Sequence, residues 1–205
     1  MNHPAVVVLF VKPPIPGRVK TRLARDIGAE AACSIYRALV ERVLQQIEAS
    51  GFPLALFFDG DEDQVPDRWK RHARCCVQQQ GGDLGGRMAH AFRQLFDAGY
   101  QSAVLCGSDI PGIDAAYLRH AGQALQQSGM VIAPAHDGGY CLIGFVSERF
   151  TPLVFDQIRW STDQVLQQTL DRCSQVGLQP MLLTLLRDID TVDDLREVAP
   201  EMVQE

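Results

Sequence analysis

Ala5-Val6-Val7-Val8-Leu9-Phe10-Val11 runs without a break into Lys12-Pro13-Pro14-Ile15-Pro16-Gly17-Arg18-Val19-Lys20-Thr21-Arg22. The first part is a continuous apolar run rich in β-branched residues, the signature of a strand buried on both faces. The second part ends it, because three prolines and a glycine stiffen and bend the chain. Four cations, Lys12, Arg18, Lys20 and Arg22, crowd that loop. A rigid, cation-rich loop at the carboxyl end of a strand suits a phosphate or diphosphate group. The G-x-x-x-x-G-K pattern of a Walker loop is absent, and a solvated basic loop is the plainer alternative.

Downstream, apolar runs of strand length alternate with amphipathic stretches. Residues 29–50 carry Ile35, Leu39, Val43 and Ile47 at helical spacing, and Gly51 supplies a stop. Residues 53–58 form a second apolar run, and the polar stretch 61–74 leads to a weaker strand at 75–79. The cluster Gly81-Gly82-Asp83-Leu84-Gly85-Gly86 opens a helix bearing Met88, Phe92 and Phe96. A strand at 102–106, a helix at 114–127 and strands at 130–134 and 140–146 follow. Ser161 is the expected N-cap of a helix over 161–175, with Gln164 at the capping-box position. Residues 181–186 are the last apolar run, and Thr191 begins a short terminal helix. This alternation predicts an α/β fold, a three-layer α/β/α sandwich around a mostly parallel mixed sheet, in which ligands bind beyond the carboxyl ends of the strands.

The 205 residues suit one domain spanning 1–205, at about 150 residues per domain as a prior. With 46% hydrophobic and 21% charged residues, disorder, collagen and coiled coil are excluded. Lys plus Arg number 19 against 25 Asp plus Glu, a formal charge of −6, which argues against generic nucleic-acid or membrane-surface binding through basic patches. The first apolar run has no basic segment before it and no small-residue cleavage site after it, and no segment approaches the ~18 apolar residues of a membrane span. Cys33, Cys75, Cys76, Cys106, Cys141 and Cys173 form no C-x-x-C pair, so they are expected to be reduced thiols of a cytoplasmic protein.

The residues with chemistry sit where strands end. In Gln80 to Arg87 the glycines let backbone N–H groups approach an anion at a helix N-terminus, although a turn needing positive φ explains them equally well. Gly107-Ser108-Asp109-Ile110-Pro111 places a carboxylate just after a buried strand; it is either a hard ligand for Mg²⁺ or Mn²⁺ or a helix N-cap. Ala135-His136-Asp137-Gly138-Gly139-Tyr140 sets Asp137 in a glycine turn, and Arg187-Asp188-Ile189-Asp190-Thr191 follows the last apolar run. Carboxylates from these two segments can converge with Asp109 on one cation. His136 is a possible general base, but a lone loop histidine is more often structural.

Six ordered blocks covering nearly the whole chain carry a resemblance: residues 10–14 with Lys20-Thr21-Arg22-Leu23, Gly85 to Met88, Gly107 to Pro111, Asp137-Gly138-Gly139-Tyr140, Ile158-Arg159-Trp160-Ser161-Thr162, and Asp188-Ile189-Asp190-Thr191. The chain resembles the rSAM/selenodomain-associated glycosyltransferase-like family of the nucleotide-diphospho-sugar transferase superfamily, which has the GT-A fold. The resemblance implies a transferase moving a sugar from a nucleotide-sugar donor to a small-molecule acceptor, with Mg²⁺ or Mn²⁺ on Asp109 and Asp190. Lys12, Pro13, Gly17, Lys20, Thr21, Arg22, Asp83, Gly85 and Arg87 would surround the nucleotide and its phosphates. Asp137 would act beside Asp109 in catalysis, orienting or deprotonating the acceptor, and Gly138, Gly139 and Tyr140 would line the acceptor's place.

The superfamily also contains nucleotidyltransferases, which join a nucleoside triphosphate to a phosphorylated acceptor and release pyrophosphate. Asp188-Ile189-Asp190-Thr191 followed by Asp194-Leu195 is similar to the closing motif of guanylyltransferases and cytidylyltransferases. The first loop, however, has prolines where pyrophosphorylases have a G-x-G-x-R signature. Gly107 and Ser108 likewise leave the D-x-D motif of glycosyltransferases incomplete. A non-catalytic nucleotide-binding module is the third alternative; a homo-oligomer would supply pocket walls that so short a chain lacks.

Overall fold

Val6–Val11 forms β1, an interior strand of the sheet, in a computed structural model that describes residues 5–199. The other strands are β2 (Leu54–Phe58), β3 (Ala73–Gln78), β4 (Ser102–Cys106), β5 (Met130–Pro134), β6 (Tyr140–Val146) and β7 (Met181–Leu182). Among the described residues they make one sheet of order β3-β2-β1-β4-β6-β5-β7. The pairings are parallel except for β6, which runs antiparallel to both β4 and β5. The short turn between β5 and β6 dictates this, since a parallel return needs a crossover of about a dozen residues. The expected mostly parallel mixed sheet is therefore the observed one.

Helices cover both faces: α1 (Leu23–Ile27), α2 (Ala29–Ser50), α3 (Asp67–Lys70), α4 (Leu84–Asp97), α5 (Ala115–Ser128), α6 (Val165–Gln175) and α7 (Val192–Val198). Alternation along β1 assigns the layers. Val7, Leu9 and Val11 pack with Val40, Val43 and Ile47 of α2 and Leu118 and Leu125 of α5. Val6 and Val8 pack on the opposite side with Met88, Phe92 and Leu95 of α4 and Cys173 of α6. A third cluster, in which Leu23, Leu39, Ile189 and Leu195 are buried, fastens α1 and α7 to α2. That cluster brings the end of the described chain beside the loop that follows β1.

Three expectations are corrected. The polar stretch 61–74 holds α3, built around Trp69, which is fully buried and meets Tyr36 edge-on at 6.2 Å between ring centroids. The helix expected from Ser161 begins at Val165. Ser161 has φ of 62°, Thr162 Oγ1 donates to Arg159 O at 2.7 Å, and the Gln164 side chain accepts from Arg159 and Gln168, so these residues form a turn and no capping box. The last apolar run keeps only two residues as β7, and Leu186 returns as an isolated bridge to Ala135. All six cysteines are free thiols, and no helix among the described residues is long and apolar enough to cross a membrane.

Candidate active site

Parallel pairing delivers the carboxyl ends of β1, β2 and β4 to one edge of the sheet, and the start of β6 joins them there. A two-lobed cleft opens at that edge. One lobe, about 640 Å³, is lined by Lys12, Arg18, Lys20, Thr21, Arg22 and Arg87, with Asp59, Tyr36, Gln79 and Asp190 among them. The other, about 290 Å³, is lined by Asp137, Gly139, Tyr140, Trp160, Thr162 and Asp188 over an apolar floor that includes Met88 and Leu142. Phe10, Leu84, Gly107, Asp109 and Ser161 border both lobes.

Lys20 stands at the junction. Its side chain is only 4% exposed, and its backbone is held at φ of 46°. The ammonium pairs with Asp109 Oδ2 and, at 3.1 Å, with Asp190 Oδ1; Arg22 Nη1 reaches Asp190 Oδ2 at 3.0 Å. Burial is the strongest single influence on Lys20 and opposes its charge, but Asp109 and then Asp190 outweigh it and leave the pKa above the ordinary 10.5. Asp109 and Asp190 are brought together by main chain: the Ile189 N–H donates to Asp109 O at 3.1 Å. A capping box between Thr191 and Asp194 then fixes the start of α7, and Asp194 Oδ2 also accepts the Asp190 N–H at 3.2 Å.

Asp188 adds a further carboxylate. Burial first, then repulsion from Asp109, Asp190 and Asp137, pushes its pKa up to about 6, the mark of four carboxylates sharing one region. Asp109 and Asp190 already hold a cation between them, the Lys20 ammonium, which shows that the pair is arranged for positive charge. Two hard carboxylates completed by substrate phosphates are the donor set that Mg²⁺ or Mn²⁺ takes. Among the described residues no group of three or more His, Cys, Asp or Glu is placed to hold an ion by itself.

The sequence-predicted residues divide by position. Lys12, Lys20, Thr21, Arg22, Arg87, Asp109 and Asp190 line the cationic lobe, and Asp137, Gly139 and Tyr140 line the acidic one. Pro13, Gly17, Asp83, Gly85 and Gly138 line neither. Pro13 is buried and packs on Gly60, and Gly17 makes an exposed turn at φ of 78°. Asp83 caps α4, accepting the Gly86 N–H at 2.7 Å, so the glycine cluster serves this turn. A Cβ on Gly85 would lie 2.7 Å from the Trp160 ring; the residue is small so that α4 can pack there. Gly138, at φ of 84°, lets the turn approach the backbone of Asp163, where a Cβ would fall 2.1 Å from the carbonyl oxygen. Asp109 caps no helix; Asp114 caps α5. His136 is exposed outside both lobes, with Nδ1 3.5 Å from Arg187 Nη2.

Sequence reasoning passed over Tyr36 and Asp59, and gave Asp188 no role of its own beside Asp190. Tyr36 Oη accepts the Lys12 N–H at 2.8 Å and lies 3.3 Å from Ser108 Oγ, so it holds the β1 and β4 loops together. Nothing in its helical spacing sets it apart from core residues. Asp59 pairs with Arg87 at 2.7 Å. Asp188 had a signal, because buried Ile189 between two aspartates places both carboxylates on the side away from the core.

Among known proteins, the family described as "Uncharacterized protein conserved in bacteria (DUF2064)" matches residues 42–162, more than half of the chain. A solved structure from Desulfovibrio desulfuricans G20, provisionally named a nucleotide-diphospho-sugar transferase, is 38% identical, with a TM-score of 0.88 over 96% of this chain and 86% of that one. The manganese complex of Rv0371c from Mycobacterium tuberculosis H37Rv is 18% identical, with a TM-score of 0.54 over 98% of this chain and 100% of that one. A nucleotidyl transferase from Methanothermobacter is 14% identical, with a TM-score of 0.62 over 96% of this chain and 97% of that one. The last two share the fold. No curated protein matches the chain significantly.

Proposed function

The chain belongs to the DUF2064 family, and from that premise we propose that it is a single-domain, metal-dependent transferase that moves a sugar from a nucleotide-sugar donor to a small-molecule acceptor. Within that family we assign it to the rSAM/selenodomain-associated branch on the six sequence blocks it carries. The reading rests on one observation: a cationic lobe and an acidic lobe meet at Asp109, where Lys20 and Asp190 converge. The 38% identity to the Desulfovibrio protein supports the donor class.

In this reading Lys12, Arg18, Lys20 and Arg22 receive the diphosphate through charge-assisted hydrogen bonds, with Lys20 the buried member of the set. Asp109 and Asp190 would hold Mg²⁺ or Mn²⁺, which supplies electrophilic stabilisation of the leaving diphosphate. The manganese found with a protein of the same fold is consistent with that choice. The acceptor oxygen forms a bond to the anomeric carbon as the bond from that carbon to the phosphate oxygen breaks. The electron pair leaves with the nucleoside diphosphate. Asp137 takes the acceptor proton, its Oδ1 being held by the Gly139 N–H at 2.9 Å.

A second reading, nucleotidyl transfer, is favoured by Gly107 and Ser108, which leave Asp109 without the partner aspartate of a D-x-D motif. Product analysis separates the two. Incubation with nucleotide sugars, Mn²⁺ and a mixed acceptor pool should release nucleoside diphosphate. Pyrophosphate release from a nucleoside triphosphate would move the assignment to nucleotidyl transfer, and neither product would reduce the chain to a binding module.

A further inference from the structure

We infer that the 290 Å³ lobe takes an unphosphorylated acceptor, a polyhydroxyl compound that is neutral or carries an amine. This inference rests on the proposed function and narrows its acceptor. The cleft is sorted by charge. Lys and Arg side chains line the larger lobe, whereas the smaller lobe presents Asp109, Asp137 and Asp188 and, among the described residues, no Lys, Arg or His. A divalent ion held by Asp109 and Asp190 would sit at the junction and leave Asp137 and Asp188 uncompensated. A phosphate on the acceptor would meet these carboxylates with no cation to pair it, and like charges facing each other across a binding surface select against such a partner.

The rest of the lobe suits a carbohydrate-like ring. Tyr140 and Trp160 meet edge-on at 6.4 Å between ring centroids and form part of the wall. An apolar wall and floor with a few polar groups is how small-molecule sites orient a ligand. The carboxylates supply the complementary acceptors for hydroxyl or ammonium donors.

Matched pairs of probes test this: glucosamine against glucosamine 6-phosphate, and glycerol against glycerol 3-phosphate. They are titrated into the full-length protein saturated with Mn²⁺ and the best-binding nucleoside diphosphate, with Trp160 fluorescence as the readout and Trp160→Phe as the control for its origin. The unphosphorylated member of a pair should bind at least tenfold more tightly, and the double variant Asp137→Asn/Asp188→Asn should narrow that ratio by a factor of several. Equal or tighter binding of the phosphorylated members, or no binding of any unphosphorylated probe, overturns the inference. Failure of every nucleotide to bind in the first step would instead strike at the proposed function.

Discussion

Lys20, Asp109 and Asp190 answer to one another, and single substitutions should show which does what. Lys20→Ala removes a buried cation from the diphosphate's place and should weaken nucleotide binding about 10- to 100-fold, the range of a charged hydrogen bond worth ~1.5–3 kcal/mol. Asp109→Ala should abolish the metal-dependent part of binding and leave the metal-independent part in place. Titration calorimetry of both variants with and without Mn²⁺ checks this, and unchanged affinity in both removes the site assignment. Tyr36 makes a separate prediction. Burial, only partly offset by its bonds to Ser108 and Lys12, pushes its hydroxyl from 10.0 up to about 12. Because the folded pKa is the higher one, this group's stabilisation is complete below pH 10 and fades as pH climbs towards 12. The difference in unfolding free energy between wild type and Tyr36→Phe should therefore hold steady from pH 7 to 9 and shrink between 10 and 12. A difference that persists to pH 12 contradicts the burial argument. At this scale the aspartates were legible because they follow apolar runs, whereas Tyr36 was not, since its role depends on a contact with a loop 24 positions away in the chain.

Among elements, the turn between β5 and β6 and the start of α7 carry the site. Gly138 sits at φ of 84° against the backbone of Asp163, so Gly138→Ala combines left-handed strain with a clash against main chain that cannot move aside. It should cost several kcal/mol, in the range reserved for strain and overpacking, and chemical denaturation will read it. Thr191→Ala removes the cap of α7 and should cost about 1 kcal/mol. It should also loosen nucleotide binding, because the same box holds Asp190. The sequence placed the start of this helix at Thr191, and the structure adds the capping box with Asp194. The sequence misplaced the start of α6 because Ser161 and Gln164 match a local capping pattern, and only the fold reveals that Gln164 is engaged by Arg159 and Gln168 while the Leu166 N–H donates to Gly138 O. The glycines at 81–86 left two readings open, an anion site and a turn. Their spacing suits an anion, but the structure uses them to turn the chain and to seat α4 beneath Trp160.

For the whole molecule, a sheet with its carboxyl ends gathered at one edge was legible from alternating apolar runs, and so was the convergence of charged loops there. The division of that edge into a cationic and an acidic lobe was not, because it depends on which loops lie side by side across the antiparallel strand β6. That division is the basis for reading the protein as a transferase with separate donor and acceptor places. The measurement that tests it most directly is a thermal-unfolding panel of nucleoside diphosphates, triphosphates and nucleotide sugars, each with Mn²⁺ and with EDTA. A ligand at a hundred times its Kd adds about 2.7 kcal/mol of stability, enough for a clear shift in Tm. We predict a Mn²⁺-dependent shift that is larger for a nucleotide sugar than for the matching triphosphate and is lost in Asp109→Ala. Unfolding temperatures that no nucleotide moves, with or without the metal, would contradict the account.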